Sequence, residues 1–548
     1  MDVDKMQKKL AVWSQDPDFR FDDIYNLLYD RGWLRRAYRS VASNSGSDTA
    51  GVNGRTMADF EEDLEENLKD LARSLKAEEY APCPVRRTYV PKKDGRKRPL
   101  GIPTIRDRIV QEALRMLLEP IYETDFSPWS YGFRPNRRTH DAIMAAYTAM
   151  SESAKMYWVI DADIEGFFDN VDHQRLEQVL QDRISDQSVR DLIWGFLKAG
   201  VMEEGTHRHS MLGTPQGGIV SPLLANIYLN DLDQWAKRFT DRSRLQRKRA
   251  RNRGKGNWRY VRYADDFLLL TNGRRKCAER MVERLQEQVR DRLNLTLSRK
   301  KTKIVHANDG LEFLGYRLKR KRDGDGGKAT RLLIPEEAKT RFREKVKAAT
   351  GGSHDVSARA KIRALNAVVR GWGTYYKYAA DAPRAFSDLD NFVWWQLMGW
   401  LTKKYRISVR KVIERRLENR SPPAVNGKSL AELYPMGSAL YTGRYRKNEH
   451  PYLKGTVSKR EKLPEVDPWL ANLKERPGWE DQRWKALGRD NWTCQKCGKT
   501  LSKTNAEVHH EQSSAGYKNR TEAHRLGNLT SLCEGCHKEV ESNRSYVK

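Results

Sequence analysis

The chain has 548 residues, enough for about three or four domains of ordinary size. Its 102 lysines and arginines outnumber 73 acids, giving a formal net charge of +29. Such an excess is self-repelling unless a polyanion is the working partner, so nucleic acid is the leading candidate. An anionic membrane surface is the lesser one, because no long basic amphipathic face stands out.

The N-terminus, "MDVDKMQKKLAVWSQDPDFRFDD", has early acids and no apolar stretch, so it reads as neither a signal nor a transit peptide. No apolar run of about 18 residues marks a spanning helix. An intracellular protein is expected, with no membrane partner. Over the first ~320 residues helical and strand-like patterns alternate, which suggests an α+β fold. "MYWVIDAD" reads as a buried strand ending in acids. "RLEQVLQDRISDQSVRDLIWGFL" and "CAERMVERLQEQVRDRL" read as helices. In "SPLLANIYLNDLDQWAKRF", Ser221 is the expected N-cap and Pro222 suits the first turn. Leu223, Leu224, Ile227, Tyr228, Leu232 and Trp235 share one face. Segments 43–54 and "KRDGDGGK" mark loops. From ~335 to ~440 the pattern is mostly helical, and one stretch carries four Trp and three Tyr. From ~441 to ~480 periodicity fades into a basic, proline-containing connector.

In "RYVRYADDFLLLT", Asp265 and Asp266 sit side by side in an apolar run. Adjacent carboxylates repel each other and resist desolvation. A divalent cation reverses that penalty, and Mg²⁺ favours carboxylate oxygens together with substrate phosphates. A third acid is available in "WVIDADIEGFFDN", where Asp161 and Asp163 lie at i and i+2 on one strand face. Two-metal sites hold their ions about 3.5–4 Å apart and clamp both oxygens of an in-line displacement. The competing reading is an acid pair at an exposed hairpin turn. Tyr263 before it and the Phe267–Leu270 run after it argue against that.

Four of the six cysteines form "CQKC" and "CEGC". Cys494, Cys497, Cys533 and Cys536 have the spacing of a structural Zn²⁺ site rather than of a disulfide framework. Between and beside them stand "VHHEQ", "LGNLTSLC" and "CHK". A zinc ribbon that only binds DNA is the simpler alternative.

"YADD" resembles the catalytic box of reverse transcriptases. "PVRRTYVPKKDGRKRPLGIPTIRDRIVQEAL", "SPWSYGFRPNRRTHDAI", "DADIEGFFDNVDH", "GTPQGGIVSPLLANIYLNDLD", "LTLSRKKTKIV" and "FLGY" follow in the order of the group II intron-encoded protein family. With "RGWGTYYKY", the resemblance spans roughly residues 20–400. It implies a right-hand polymerase fold, with fingers and palm in 1–330 and a helical thumb, domain X, in 331–440. A DNA-binding region or linker would occupy 441–480. Asp163, Asp265 and Asp266 would bind two Mg²⁺ ions for attack of a primer 3′-hydroxyl on a dNTP α-phosphate. Phe168 matches the steric-gate aromatic that excludes a 2′-hydroxyl, against a plain core phenylalanine. Gln216 matches a residue near the incoming nucleotide, against an ordinary loop. Lys92 and Arg98 match triphosphate-holding positions, against a solvated basic turn. Residues 241–260 hold nine bases and one acid, suited either to a template backbone or to a solvated insertion. Glu165 adds an acid to the first box and is assigned no metal. The aromatic residues of domain X serve RNA stacking, core packing, or both.

The last segment, 481–548, resembles an HNH endonuclease, a zinc-stapled ββα-metal module. There His510 would be the general base, His509 and His537 would bind Mg²⁺ or Mn²⁺, and Asn528 would orient the base or complete the site. Glu511 stands where many members have an apolar residue. The whole implies a maturase that binds its intron RNA, nicks double-stranded target DNA and copies the inserted RNA from the new 3′ end with dNTPs. It would act as a ribonucleoprotein in a prokaryotic cytoplasm or nucleoid, with dimerisation left open. The alternatives are a non-intron or domesticated reverse transcriptase, or an RNA-binding splicing factor without polymerase function.

Overall fold

The computed structural model describes residues 1–91, 97–203, 206–208, 217–322, 328–420, 422–425, 427–437, 450–453, 485–502, 506–510, 529–533, 535–537 and 539–540. The chain forms two compact units, Met1–Leu453 and Lys454–Lys548. Of the expected connector 441–480, only 450–453 falls among the described residues.

The first unit is organised around a four-stranded antiparallel sheet. Its strand order is Trp258–Tyr263, Asp266–Thr271, Trp158–Ala162, Lys303–His306. The strand Asp266–Thr271 is buried beyond its first residue, and its side chains alternate between two cores. Phe267 and Leu269 join Ile160, Ala162 and Tyr260 in a core shared with helices Ser221–Thr240 and Arg275–Leu293. Leu268 and Leu270 join Val159 and Val261 in a second core, shared with helix Thr139–Ala149 and the downstream helices. A strand buried on both faces needs a continuous apolar run, which is why "FLLL" follows the acids without polar interruption.

The six apolar residues expected on one face of helix Ser221–Thr240 are all buried. Ser221, however, is not its N-cap. Val220 already has helical backbone angles (φ −82°, ψ −21°) and makes no side-chain cap, so the helix begins one residue earlier than the serine suggests. The segment expected to be helical after Asp172 divides into His173–Gln181 and Gln187–Lys198. The second helix is capped by the Asp186 carboxylate, which accepts from Val189 N.

The basic segment 85–102 forms an antiparallel hairpin, Val85–Pro91 with Lys97–Ile102, closing at Pro91 opposite Lys97. Lys92 lies outside the described residues, as does the side chain of Arg98. Downstream, helices Glu336–Thr350, Ala358–Tyr376 and Ala382–Tyr405 pack through Phe342, Leu365, Val369, Phe386, Leu389 and Leu397. A small sheet not foreseen in the sequence, Asn419–Arg420 with Pro423–Val425 and Lys428–Ser429, follows them. No described helix is long and apolar enough to cross a membrane.

The second unit contains an antiparallel pair, Ala506–His510 with Leu529–Cys533, and helical residues 535–537 and 539–540. Its core is small: Ala486, Leu487, Cys494, Leu501, Ala506, Val508, Leu529 and Leu532.

Candidate active sites

In the first unit the edge strand Trp258–Tyr263 and its neighbour Asp266–Thr271 meet at a turn formed by Ala264 and Asp265, with Tyr263 paired to Asp266. Ala264 is left-handed at φ +57°, a conformation that costs an L-residue energy and holds only where surroundings enforce it. Arg262 supplies much of that enforcement. Its guanidinium is fully buried and donates to both carboxylate oxygens of equally buried Asp233, at 2.7 and 2.6 Å. It also donates to Asn226 Oδ1 at 2.9 Å and to the Ala264 carbonyl at 3.0 Å. The turn is thus tied to helix Ser221–Thr240. Removing one partner of such a pair strands a buried charge at a cost of about 3–5 kcal/mol. Asp233→Ala is expected to lower unfolding stability by that order in a urea titration. A shift below about 1 kcal/mol would show the pair to be dispensable.

The strand Trp158–Ala162 ends beside this turn, since Ala162 pairs with Phe267. Asp163 follows immediately, just past the strand rather than within it, and its carbonyl accepts from Ser298 N at 2.8 Å. Asp266 is exposed to solvent on one side, yet desolvation by the protein around it raises its pKa to about 7. The charges of Asp265, Asp163 and Asp161 add to the rise, and Lys301 opposes it. Asp161 is raised to about 6 by burial, with Lys303 opposing and Asp163 adding. The Lys301 ammonium donates to both Asp163 oxygens at 2.9 Å. Asp163 thus adds to the rise at both Asp161 and Asp266 and draws the Lys301 ammonium, and hard oxygen donors of this kind suit Mg²⁺. Lys301 was overlooked in the sequence. Its signal was a lysine-rich turn entering a strand that pairs with the acidic one.

Glu165 is exposed, its amide bonded to the Thr296 carbonyl at 2.9 Å. Phe168 sits in the 3₁₀ turn Phe167–Asp169, half-buried, its ring 5.2 Å from that of Phe167. Gln216 lies outside the described residues. Gly217 is left-handed at φ +119°, where a Cβ would stand 2.4 Å from the Gly101 carbonyl. The basic segment before the acidic hairpin forms helix Arg244–Asn252, of which only Ala250 is buried.

In the second unit, the Sγ atoms of Cys494, Cys497, Cys533 and Cys536 all lie within 4.8 Å of one another. Among the described residues this is the one metal-type donor group so tightly gathered. Cys497 and Cys533 are 3.8 Å apart, about the S···S edge of a tetrahedron with Zn–S bonds near 2.3 Å. Burial works against the Cys494 thiolate, but backbone N–H groups from Cys533, Cys497 and Lys496 outweigh it and lower its pKa. The four cysteines are free thiols, and their donor set fits Zn²⁺. The buried ring of His509 lies 5.3 Å from that of His537. The backbone of His510 pairs with Leu529, while its side chain and all of Asn528 lie outside the described residues.

The first unit thus presents a carboxylate-bearing hairpin turn in a helix-backed sheet, and the second a cluster of four cysteines beside two histidines. Residues 90–318 match the family described as reverse transcriptase (RNA-dependent DNA polymerase), and 339–417 match the group II intron maturase-specific domain. Residues 494–543 match HNH endonuclease. The chain is 39% identical over 362 residues to protein YkfC of Escherichia coli (strain K12), covering 62% of this chain and 95% of that one. It is 35% identical over 391 residues to the group II intron-encoded protein LtrA of Lactococcus lactis subsp. cremoris, covering 60% of this chain and 64% of LtrA. A 91 kDa protein in the cob intron of Schizosaccharomyces pombe is 30% identical over 419 residues, covering 66% of this chain and 51% of its own length. The chain belongs to the group II intron-encoded reverse transcriptase/maturase family, in the form that carries an HNH endonuclease. It is an RNA-directed DNA polymerase and a DNA endonuclease.

Proposed function

We propose that this enzyme works as a ribonucleoprotein with the intron RNA that encodes it, assists that RNA's splicing, and returns the intron to DNA by target-primed reverse transcription. The observation that carries this reading is the presence, on one basic chain, of the carboxylate turn at Asp265 and the cysteine–histidine module. In this reading Asp163, Asp265 and Asp266 hold two Mg²⁺ ions, which when bound activate the primer hydroxyl and stabilise pyrophosphate. Residues 1–330 act as fingers and palm and 331–440 as thumb and domain X. The region 441–480 binds DNA, and 481–548 is the nuclease. Lys92, Arg98 and Gln216 hold the dNTP, and Phe168 rejects a 2′-hydroxyl. Cys494, Cys497, Cys533 and Cys536 hold Zn²⁺, and His509 and His537 a nuclease Mg²⁺ or Mn²⁺. His510 removes the proton from water, and Asn528 steadies it. The exposed arginines of helix Arg244–Asn252 follow the RNA backbone, with affinity that falls steeply with salt.

The test combines the protein, the RNA flanking its own gene and duplex DNA spanning the ligated-exon junction. The expected product is cDNA covalently joined to the nicked strand. Asp265→Ala, Asp266→Ala protein should give the nick without the cDNA. If wild-type protein extends an oligo(dT) primer on poly(rA) but neither speeds splicing nor joins cDNA to target DNA, the retrohoming reading falls and the polymerase assignment stands.

A further inference from the structure

A second hairpin, Tyr316–Arg322 with Lys328–Leu333, is strongly cationic. Seven of its strand residues are Lys or Arg and none is acidic. One face belongs to a core. Tyr316, Leu318 and Leu332 are buried there. Arg320 is absorbed on the same face, its guanidinium carbon 3.8 Å from the centre of the Tyr157 ring, and it donates to Glu152.

The other face meets solvent. Arg317, Lys321 and Arg331 are exposed on it, and Lys319 is half-buried. The register sets Lys319 directly opposite Arg331, and beside the turn it sets Arg322 directly opposite Lys328. Like charges placed so destabilise a ladder. Glu312, across from Arg317 on the neighbouring strand Leu311–Phe313, is the one acid among the described residues of this sheet. Asp323 and Asp325, in the turn, lie outside them.

The hairpin is pinned in place. Arg320 N donates to the Ala307 carbonyl at 2.9 Å, the Thr330 hydroxyl to the Met150 carbonyl at 2.8 Å, and Ala380 N to the Leu332 carbonyl at 2.7 Å. Ala307 follows His306, which pairs with Trp158 at the end of the four-stranded sheet away from Asp163. The strand Trp158–Ala162 between those ends spans about 13–17 Å. Lys319, Lys321 and Arg331 adjoin Arg320 and its partner Thr330, so they stand beyond hydrogen-bond reach of Asp163.

We infer that the face formed by Arg317, Lys319, Lys321 and Arg331 holds the phosphate backbone of the intron RNA, away from the site of copying. This rests on the ribonucleoprotein reading above. Alternate residues of a strand share a face, so Arg317, Lys319 and Lys321 form a row, which suits a chain of phosphates better than a single anion. Repulsion across the ladder acts at all times, so the polyanion that relieves it is one that stays bound. In a ribonucleoprotein that is the intron RNA, not a product duplex that exists only during copying.

The experiment uses the full-length protein and RNA transcribed from the sequence flanking its gene. RNA binding is measured over a range of salt, beside binding and extension of primer–templates with short and long duplexes. The triple variant Arg317→Gln, Lys319→Gln, Lys321→Gln should flatten the log–log salt slope by about 2 to 3 and raise the RNA Kd at least about tenfold at ~0.1 M salt. Its kcat and KM on the primer–templates should stay at wild-type values. Lys319→Glu separates binding from folding. It sets an opposite charge against Arg331, so Tm should hold or rise while RNA affinity falls. Lys319→Arg should bind RNA as the wild type does. An unchanged salt slope in the triple variant overturns the inference, as does a Lys319→Glu protein whose Tm falls with its RNA affinity. Weaker binding of the long duplex with intact RNA binding overturns it in favour of the product duplex. Wild-type protein that binds no intron RNA overturns the ribonucleoprotein reading as well.

Discussion

Asp265→Ala combined with Asp266→Ala is expected to cut RNA-templated primer extension by at least about 10³-fold, while making the metal-free protein more heat-stable at neutral pH. Both effects follow from one cause. The folded Asp266 pKa is about 7, above its ordinary value of 3.8, because the surrounding protein solvates it poorly and the charges of three other carboxylates add to the rise. Between these values the unfolded chain is ionised while the folded one keeps its proton. Stability therefore falls as pH rises from about 4 to about 7, and the penalty persists above that. A divalent cation binds the ionised form and offsets the penalty. In wild-type protein with chelator, Tm should fall across this window. Added Mg²⁺ should raise it more at about pH 7.5 than at about pH 5.5. The double variant should show neither slope nor Mg²⁺ response from this group. Equal Mg²⁺ increments in wild type and variant would mean that these acids are not where the cation acts. The activity loss is read on a primer–template without target DNA, so nuclease function does not enter.

The acidic turn stood out as a candidate site because it breaks a local rule. Two acids inside "YADDFLLL" make poor sense as core and good sense beside a cation, and functional sites are where local consistency fails. The flanking apolar run was equally legible, since a strand buried on both faces cannot alternate. What the string "YVRYADD" did not disclose is that Arg262 is buried whole and holds the Ala264 carbonyl. That role exists only through Asp233 and Asn226, some 30 residues away on a helix. Lys301 was hidden for the same reason. It becomes meaningful when the strand Lys303–His306 pairs beside Asp161. Capping was misjudged at Ser221 because residue preference is weaker than the backbone entering the helix. The gathering of the four cysteines was legible from their spacing, since two C-x₂-C pairs suit a single tetrahedral site.

Those cysteines carry the second large effect. The described core of the unit Lys454–Lys548 holds eight small or medium apolar residues around one two-stranded pair. A lone pair of strands is marginal in water, and so small a core seldom folds without a staple. Structural Zn²⁺ contributes about 10–16 kcal/mol of apparent binding free energy in comparable small modules, and that binding is coupled to folding. Cys497→Ser removes a ligand whose sulfur stands 3.8 Å from Cys533. It should lower bound zinc from one ion per chain toward none, open the last ~90 residues to protease, and abolish DNA nicking. Primer extension should remain within about twofold of wild type, because the carboxylate turn belongs to the unit Met1–Leu453 and draws on its own cores. His509→Ala separates folding from chemistry. It should keep the zinc and the protease resistance and still lose nicking. A Cys497→Ser protein that nicks at the wild-type rate would remove zinc from the structural role, and one that loses primer extension in parallel would show that the two activities depend on one folding event.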